Sequence, residues 1–371
     1  MSSKLIIASA GSGETTSIIE EAIKKSKIGK VLITTYTDAN AEGIREKIIK
    51  VNGYIPSNIT VQTWFSFLLQ HGVRPYQGSI KINRDMWDFS ISGCIFPKSD
   101  SSIIRKGNRT FYKKSKEFSY YFTSNNQIFT DKLAEFAIKC NANNQVINRL
   151  SKIFQYIFID EVQDFAGYDL DFLALLVNSP IELVMVGDPR QSTYKTSNIR
   201  YNKRYNGGEI HKYILDKHLG ECVFVDTTSR IINYRCNKNI CDFANLLFSD
   251  LPQARALYET YEGREHQGVF LVHSNDISKY INCFNPVQLR WNKLKVVNNG
   301  AVVYNFGESK GLEFDRVLIY PTDPFINWLC NHSFNLSDEA RAKFYVGLTR
   351  AKYSVGIVCD IDIESIERWV P

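Results

Sequence analysis

The chain has 371 residues, 44% hydrophobic and 23% charged, with a formal net charge of +6. That is an ordinary globular composition, long enough for two or three domains, and it excludes disordered, collagen-like and mini-protein classes. No apolar run approaches the roughly 20 residues that cross a bilayer, and Leu5-Ile6-Ile7-Ala8 is too short for a secretory core, so the expectation is a cytoplasmic chain without membrane association. The eight cysteines lack zinc-site spacing and read as reduced thiols. The mild positive charge permits a polyanionic partner without requiring one.

In chain order, Lys4 to Ala8 is a short apolar run that enters Ser9-Ala10-Gly11-Ser12-Gly13, after which apolar residues recur at Ile18, Ile19, Ala22 and Ile23. This is the pattern of strand, glycine turn and amphipathic helix. It repeats at Lys30 to Thr34 before Ala41 to Ile49, at Phe154 to Ile159 before an acidic cluster, and at Glu182 to Val186 before Gly187-Asp188-Pro189. Strands alternating with helices predict an α/β fold with a parallel sheet. A second series, from Cys222-Val223-Phe224-Val225 through Val269 to Val272, Val317 to Tyr320 and Ser354 to Val358, predicts a second α/β domain. The expected domains are 1–74 with 151–218, an inserted basic and aromatic subdomain at 75–150 centred on Arg105 to Lys114, and 219–371.

Gly11-Ser12-Gly13-Glu14-Thr15-Thr16 lies where a phosphate-binding loop must lie for its backbone N–H groups to face an anion. A generic glycine turn is the alternative. Such loops carry a Lys before the Ser or Thr, and this chain has Glu14. Asp160 and Glu161 end an apolar strand, where one carboxylate can serve Mg2+ and the next can activate water; an acidic turn capping a helix is the other reading. Gln191 follows a further strand end, and can sense a phosphate. Arg235 and Arg350 flank apolar elements of the second series, and each alone reads more often as a surface ion-pair residue.

Taken together, these segments resemble the superfamily 1 helicases of the UvrD/Rep type over nearly the whole chain. Asp160-Glu161-Val162-Gln163-Asp164 is similar to that family's DExQD motif, Gly187 to Gln191 to its GDxxQ, and Asn233-Tyr234-Arg235 to its NYR. Ser309 to Phe314 is similar to SKGLEF, and Tyr345 to Ala351 to YVALTRA. The resemblance implies two RecA-like parallel-sheet domains of the P-loop NTPase kind, with the nucleotide between them. It also implies ATP and Mg2+ as cofactors, single-stranded DNA as partner, and 3′-to-5′ helicase or translocase activity.

By that resemblance Thr15 and Asp160 serve the metal, Glu161 activates water, and Gln191, Arg235 and Arg350 contact the γ-phosphate. Gly11, Ser12, Gly13, Glu14, Thr15 and Thr16 form the nucleotide loop, and Glu313 lies near the ribose. Thr35, Tyr36, Thr63, Trp64, Tyr194 and Lys310 fall on strand-contacting motifs. For Trp64, core packing is the competing reading. After Gln191 the family's aromatic-Arg-Gly turn is replaced by a basic, Tyr-rich loop through Arg200-Tyr201-Asn202-Lys203-Arg204-Tyr205, which suits a backbone-tracking groove or a solvated loop.

Three departures stand out: Glu14, Phe65 in place of a His, and Gly307 where a His commonly precedes SKGLEF. The family's large accessory domain has no room between Arg235 and Ser309. Small UvrD-like proteins similar to the helicase subunit of the Gabija phage-defence system occur beside nuclease subunits, so a nuclease partner and an antiviral role are implied by analogy alone. Glu14 admits two accounts, a lost ATPase or a motor disabled by substitution, and the intact register of Asp160, Glu161, Gln191, Arg235, Glu313 and Arg350 favours the second. A non-catalytic DNA-binding or regulatory subunit remains the rival, and a P-loop kinase or GTPase a third reading.

Overall fold

The structure is a computed structural model that describes residues 3–80, 82, 83, 89–97, 99–106 and 109–371. Gly107 and Asn108, at the centre of the basic stretch, lie outside the described residues, as do the side chains of Arg105, Lys106 and Arg109. The chain divides into two compact units: Met1–Ile6 with Thr15–Gly187 and Lys195–Asp226, and Ile7–Glu14 with Asp188–Tyr194 and Thr227–Pro371. The α/β class is as expected, and each unit is built on a six-stranded sheet.

In the first unit the sheet runs in the order Val223–Asp226, Ser3–Ile7, Glu182–Gly187, Tyr156–Ile159, Val31–Thr35, Ile59–Thr63. Its registered pairs are parallel. The central strands are buried on both faces, as Val31, Leu32, Ile33, Ile157, Phe158 and Leu183 show, which is why they read as continuous apolar runs rather than alternating ones. One expectation is corrected here. Val223 to Val225, read as the opening of the second domain, is the edge strand of the first sheet, with Leu5 opposite Val225 and Lys4 ion-paired to Asp226 at 3.0 Å. An apolar run specifies a strand but not which sheet it joins.

The helices on this sheet have identifiable ends. Thr37 caps Asp38–Asn52 by accepting from the Asn40 N–H at 3.1 Å, and Gly53, at φ 83°, closes it by donating to the Ile49 carbonyl. Glu14 opens Glu14–Lys25 and Lys24 and Lys25 end it, each charge matching the helix dipole. Within 75–150, Gly93–Ile95 pairs with Gln127–Phe129, and Ile103–Lys106 with Arg109–Tyr112 in a hairpin. The helix Thr130–Cys140 packs on Tyr168–Val177.

In the second unit the order is Val303–Asn305, Val287–Arg290, Phe314–Ile319, Ala351–Val358, Gly268–Val272, Glu367–Arg368, with parallel pairing throughout. Its core gathers Leu289, Val317, Ile319, Val355 and Ile357 from the strands with Phe325, Trp328, Phe344 and Tyr345 from the helices. A separate two-stranded ribbon, Ile232–Asn237 beside Arg255–Tyr258, carries Asn233 and Arg235. Of the cysteines, Cys140, Cys236, Cys241 and Cys359 are buried thiols, while Cys283 and Cys330 are exposed.

Candidate functional site

In a parallel sheet the residues that do chemistry collect at the carboxyl ends of the strands. In the first unit Tyr156–Ile159 ends in Asp160, which is buried. Its Oδ2 accepts from the Thr15 hydroxyl at 3.1 Å, its Oδ1 accepts from the Glu161 N–H at 3.0 Å, and its own N–H donates to the Thr34 carbonyl at 2.9 Å. Burial first, then the neighbouring Glu161 carboxylate, pushes the Asp160 carboxyl up to about 7 against the pull of these hydrogen bonds. A buried carboxylate pushed up in this way gains most from a nearby cation.

Glu161 stands at φ 60°, ψ 36°, in the left-handed region. Gln163 donates to its Oε2. Gln163 was not singled out from the sequence, although it lies inside the acidic motif. A side chain at Gly187 would come within 2.2 Å of the Gln163 amide oxygen, so the glycine that ends the next strand makes room for the residue that holds Glu161.

Register brings two of the residues expected to contact the strand side by side in this unit. Thr35 pairs with Thr63 across the sheet. Thr35 itself is buried, and Thr63 caps the turn that follows it by accepting from the Ser66 N–H at 3.3 Å. Tyr36 meets Phe65 edge-on at 5.8 Å and donates to the Lys195 carbonyl at 3.3 Å. Trp64 is a correction. It is fully buried against Phe67, Phe165 and Phe172, its indole N–H donating to Asp169 Oδ1 at 2.5 Å. With no ring face exposed it cannot stack a base, and the core-packing alternative is the one its surroundings fit.

In the second unit the loop Gly11-Ser12-Gly13 has both glycines in the left-handed region, at φ 71° and 74°. The two are needed for different reasons. A Cβ at Gly11 would lie 2.6 Å from Asn233 Oδ1 and 2.9 Å from Arg235 Cβ, whereas one at Gly13 would meet nothing within 4 Å. The Tyr234 N–H donates to the Gly11 carbonyl at 2.9 Å, and the Ser12 N–H to the Ser9 carbonyl at 3.1 Å. Asn233 Oδ1 accepts from the N–H groups of Arg235 at 2.8 Å and Cys236 at 2.9 Å. Asn233 is therefore the residue that shapes the backbone under Arg235, a role visible only in three dimensions. Thr16, next along the helix, is exposed.

Gln191 and Arg350 come together. The Arg350 guanidinium is almost fully buried and donates to Gln191 Oε1 at 2.9 Å, to the Leu312 and Val346 carbonyls at 3.1 Å each, and to Thr349 Oγ1 at 3.3 Å. Gln191 Nε2 in turn donates to Asp188 Oδ2 at 3.0 Å. Asp188 also holds Arg190 in a buried ion pair at 2.9 Å, and Arg190 reaches the Ala8 carbonyl at 3.2 Å and the Pro252 carbonyl. Asp188 and Arg190 were not predicted as site residues. The signal available was an Asp and an Arg flanking Pro189 at a strand end.

Arg235 donates to the Thr349 carbonyl at 3.1 Å and pairs with Glu313 at 3.4 Å, and Lys352 pairs with the other Glu313 oxygen at 3.1 Å. Burial alone would raise the Glu313 carboxyl, but Lys352 and Arg235 outweigh it and hold the group below the usual range. The Lys310 ammonium sits 5.9 Å from the centre of the Tyr194 ring, a cation–π distance.

The fold and these strand ends define an α/β protein of two parallel-sheet units, in which Thr15, Asp160 and Glu161 meet at the end of one strand of the first. Residues 95–200 match the family model described as UvrD/REP helicase N-terminal domain, a span that holds Asp160, Glu161 and Gln191. This agrees with the motif resemblance. No curated protein matches the chain. Among solved structures it is similar to the PRRSV helicase, at 13% identity and a TM-score of 0.43, covering 98% of this chain and 54% of that one. It is also similar to the arterivirus nonstructural protein 10 helicase solved in complex with DNA, at 11% identity and a TM-score of 0.46, covering 98% of this chain and 62% of that one. The chain thus spans between half and two thirds of the length of these two helicases. No helix among the described residues is long and apolar enough to cross a membrane.

Proposed function

We propose that the chain is an ATP-driven translocase or helicase on single-stranded DNA, with 3′-to-5′ polarity, and that Glu14 impairs its hydrolysis. The observation that carries this reading is the Thr15 hydroxyl donating to the buried Asp160 carboxylate, with Glu161 the next residue in the chain. Thr15 and Asp160 offer the hard oxygen donors that Mg2+ requires. Among the described residues no cluster of three or more His, Cys, Asp or Glu side chains offers a competing metal site. Bound there, Mg2+ would supply charge neutralisation for the phosphates. Glu161, held by Gln163, would orient the attacking water and take its proton.

The loop fits an anion in two respects and resists it in a third. Its glycines leave the backbone open, and the buried Ser12 hydroxyl has no hydrogen-bond partner among the described residues, as suits a donor for a phosphate oxygen. Glu14 opposes this. Two unit charges about 4 Å apart interact by about 4 kcal/mol at an effective dielectric near 20, here as repulsion. Gln191, Arg235 and Arg350 would offset part of it as γ-phosphate contacts, and Glu313 would lie toward the ribose. Tyr36, Thr63, Tyr194 and Lys310 would contact the DNA strand.

The experiment is ATP hydrolysis with and without single-stranded DNA, comparing the chain with Glu14→Lys. DNA-stimulated turnover in the Lys variant alone supports an intact motor held back at one position. Full turnover in the unchanged chain would sink the account of Glu14. A second reading is favoured by the engagement of Arg350 with four protein acceptors: a non-catalytic DNA-binding or regulatory subunit of a larger complex, with a nuclease as partner and an anti-phage role by analogy. It predicts DNA binding with no response to ATP, even with Lys at position 14.

A further inference from the structure

The segment that follows Gln191 forms a small cavity of about 230 Å3 in the first unit, lined by Lys195, Ser197, Asn198, Ile199, Arg200, Lys203 and Asn206. Its floor is fixed. The Ala166 N–H donates to Thr196 Oγ1 at 2.8 Å, the Thr196 N–H to the Asp164 carbonyl at 2.9 Å, and the Ser197 hydroxyl to the Asp131 carbonyl at 3.4 Å. Ile199 is buried against Gly167, where a Cβ would come within 2.9 Å of its side chain. The cavity is therefore attached to the turn that carries Asp164, and through the Tyr36–Lys195 hydrogen bond to Tyr36 as well.

The cations around it differ from their neighbour. Arg204 is committed to Asp216 at 3.3 Å and lies over the Tyr205 ring at 4.7 Å. Lys195, Arg200 and Lys203 are exposed, and among the described residues none of them has a carboxylate partner. No acidic side chain lines the cavity. The Asn206 Oδ1 is buried and without a hydrogen-bond partner among the described residues. Three unneutralised cations around a rigid polar hollow, with a free amide acceptor at its wall, are complementary to a phosphate group attached to something that can donate a hydrogen bond.

We propose that this cavity is a phosphate-binding pocket that seats one backbone phosphate of the single strand, with Arg200 and Lys203 as its main charges. The inference rests on the nucleic-acid reading above and goes beyond it by naming where a phosphate is held. It differs from a generic basic surface because one of the four cations in the loop, Arg204, is excluded from it by its ion pair.

The test is equilibrium binding of a single-stranded DNA oligonucleotide to the full chain over a salt series, comparing the unchanged protein with Arg200→Ala/Lys203→Ala and with Arg204→Ala. Each phosphate neutralised contributes a slope of about −0.7 in log K against log salt for single strands. The double variant is expected to lose about that much slope, while Arg204→Ala keeps the original one and Arg200→Lys/Lys203→Arg restores it. An unchanged slope in the double variant, or an equal loss in Arg204→Ala, overturns the pocket. If the unchanged chain binds no DNA, the nucleic-acid reading fails separately, and titration with inorganic phosphate decides the pocket. Phosphate binding that is absent in the double variant keeps it, and no binding to either protein overturns it. The substituted side chains are exposed, and matching thermal melts confirm that folding is intact.

Discussion

The Arg350 guanidinium donates to the Gln191 side-chain oxygen at 2.9 Å, joining residues 159 positions apart. Both side chains are buried and both have further partners, so the pair acts as a fixed joint between the end of one motif and the end of another. Gln191→Ala is expected to remove one charge-assisted hydrogen bond and leave a buried donor partly satisfied, costing about 1–3 kcal/mol. Urea unfolding of the two proteins checks this, and a cost near zero would mean that Thr349 alone satisfies that nitrogen.

At position 14, neutralisation and reversal separate two effects. Glu14→Gln removes the repulsion toward a triphosphate, and Glu14→Lys adds a cation besides, so DNA-stimulated ATP turnover is expected to rise in the order Glu, Gln, Lys. Glu14 also sits in the first turn of its helix, where an acid contributes about 0.3–1 kcal/mol. The Lys variant is therefore expected to melt slightly lower while working faster, as thermal melts and a phosphate-release assay on the same preparations would reveal.

Gly11→Ala and Gly13→Ala share a left-handed backbone but not a neighbourhood. Each incurs a conformational cost of roughly 1–2 kcal/mol. Only Gly11→Ala also drives a methyl group into Asn233 Oδ1, so its loss of stability is expected to exceed that of Gly13→Ala by 1 kcal/mol or more. Equal losses in denaturant melts would show that the contact with Asn233 gives way easily.

Asp169 gives a pH dependence. Burial, against the hydrogen bonds from Trp64 and Thr196, pushes its carboxyl up to about 7, from 3.8 as the ordinary value. The folded protein therefore holds a proton that the unfolded chain has released between those pH values. The stabilising contribution is present at low pH and is lost as pH rises from about 4 through 7. The difference in stability between the chain and Asp169→Asn, followed from pH 4.5 to 8, is expected to move steadily in favour of the Asn variant. A flat difference would place the group near its ordinary value.

Tyr36 and Trp64 test the two meanings of an aromatic in a strand-contacting motif. Trp64→Ala removes a fully buried ring and is expected to cost about 3–5 kcal/mol. Tyr36→Ala is expected to weaken single-stranded DNA binding by a factor of about ten, consistent with a stacking loss of about 1–3 kcal/mol. Binding curves and melts on both variants should separate the two effects.

Much of this was legible because local chemistry decided it. The apolar run ending in Asp160-Glu161 fixes a buried strand and the place where its carboxylates emerge, and Gly11 and Gly13 mark a turn that needs left-handed backbone. What was not legible depends on partners far along the chain. Val223 to Asp226 joins the first sheet because Lys4 and Leu5 lie beside it. Trp64 turns inward because Asp169, 105 residues away, accepts its N–H. Arg190 and Asn233 gain their roles from Ala8 and from the close approach of Gly11. Residue type alone carries no trace of those distances.

The left-handed conformation of Glu161 sets two kinds of selection against each other. Glycine there would relieve roughly 1 kcal/mol of backbone strain while deleting the carboxylate. A library screened only for heat tolerance should therefore enrich Glu161→Gly, and the same library screened for turnover should lose it. On the proposed water-activating role of Glu161, a more robust molecule and a working one differ at this position.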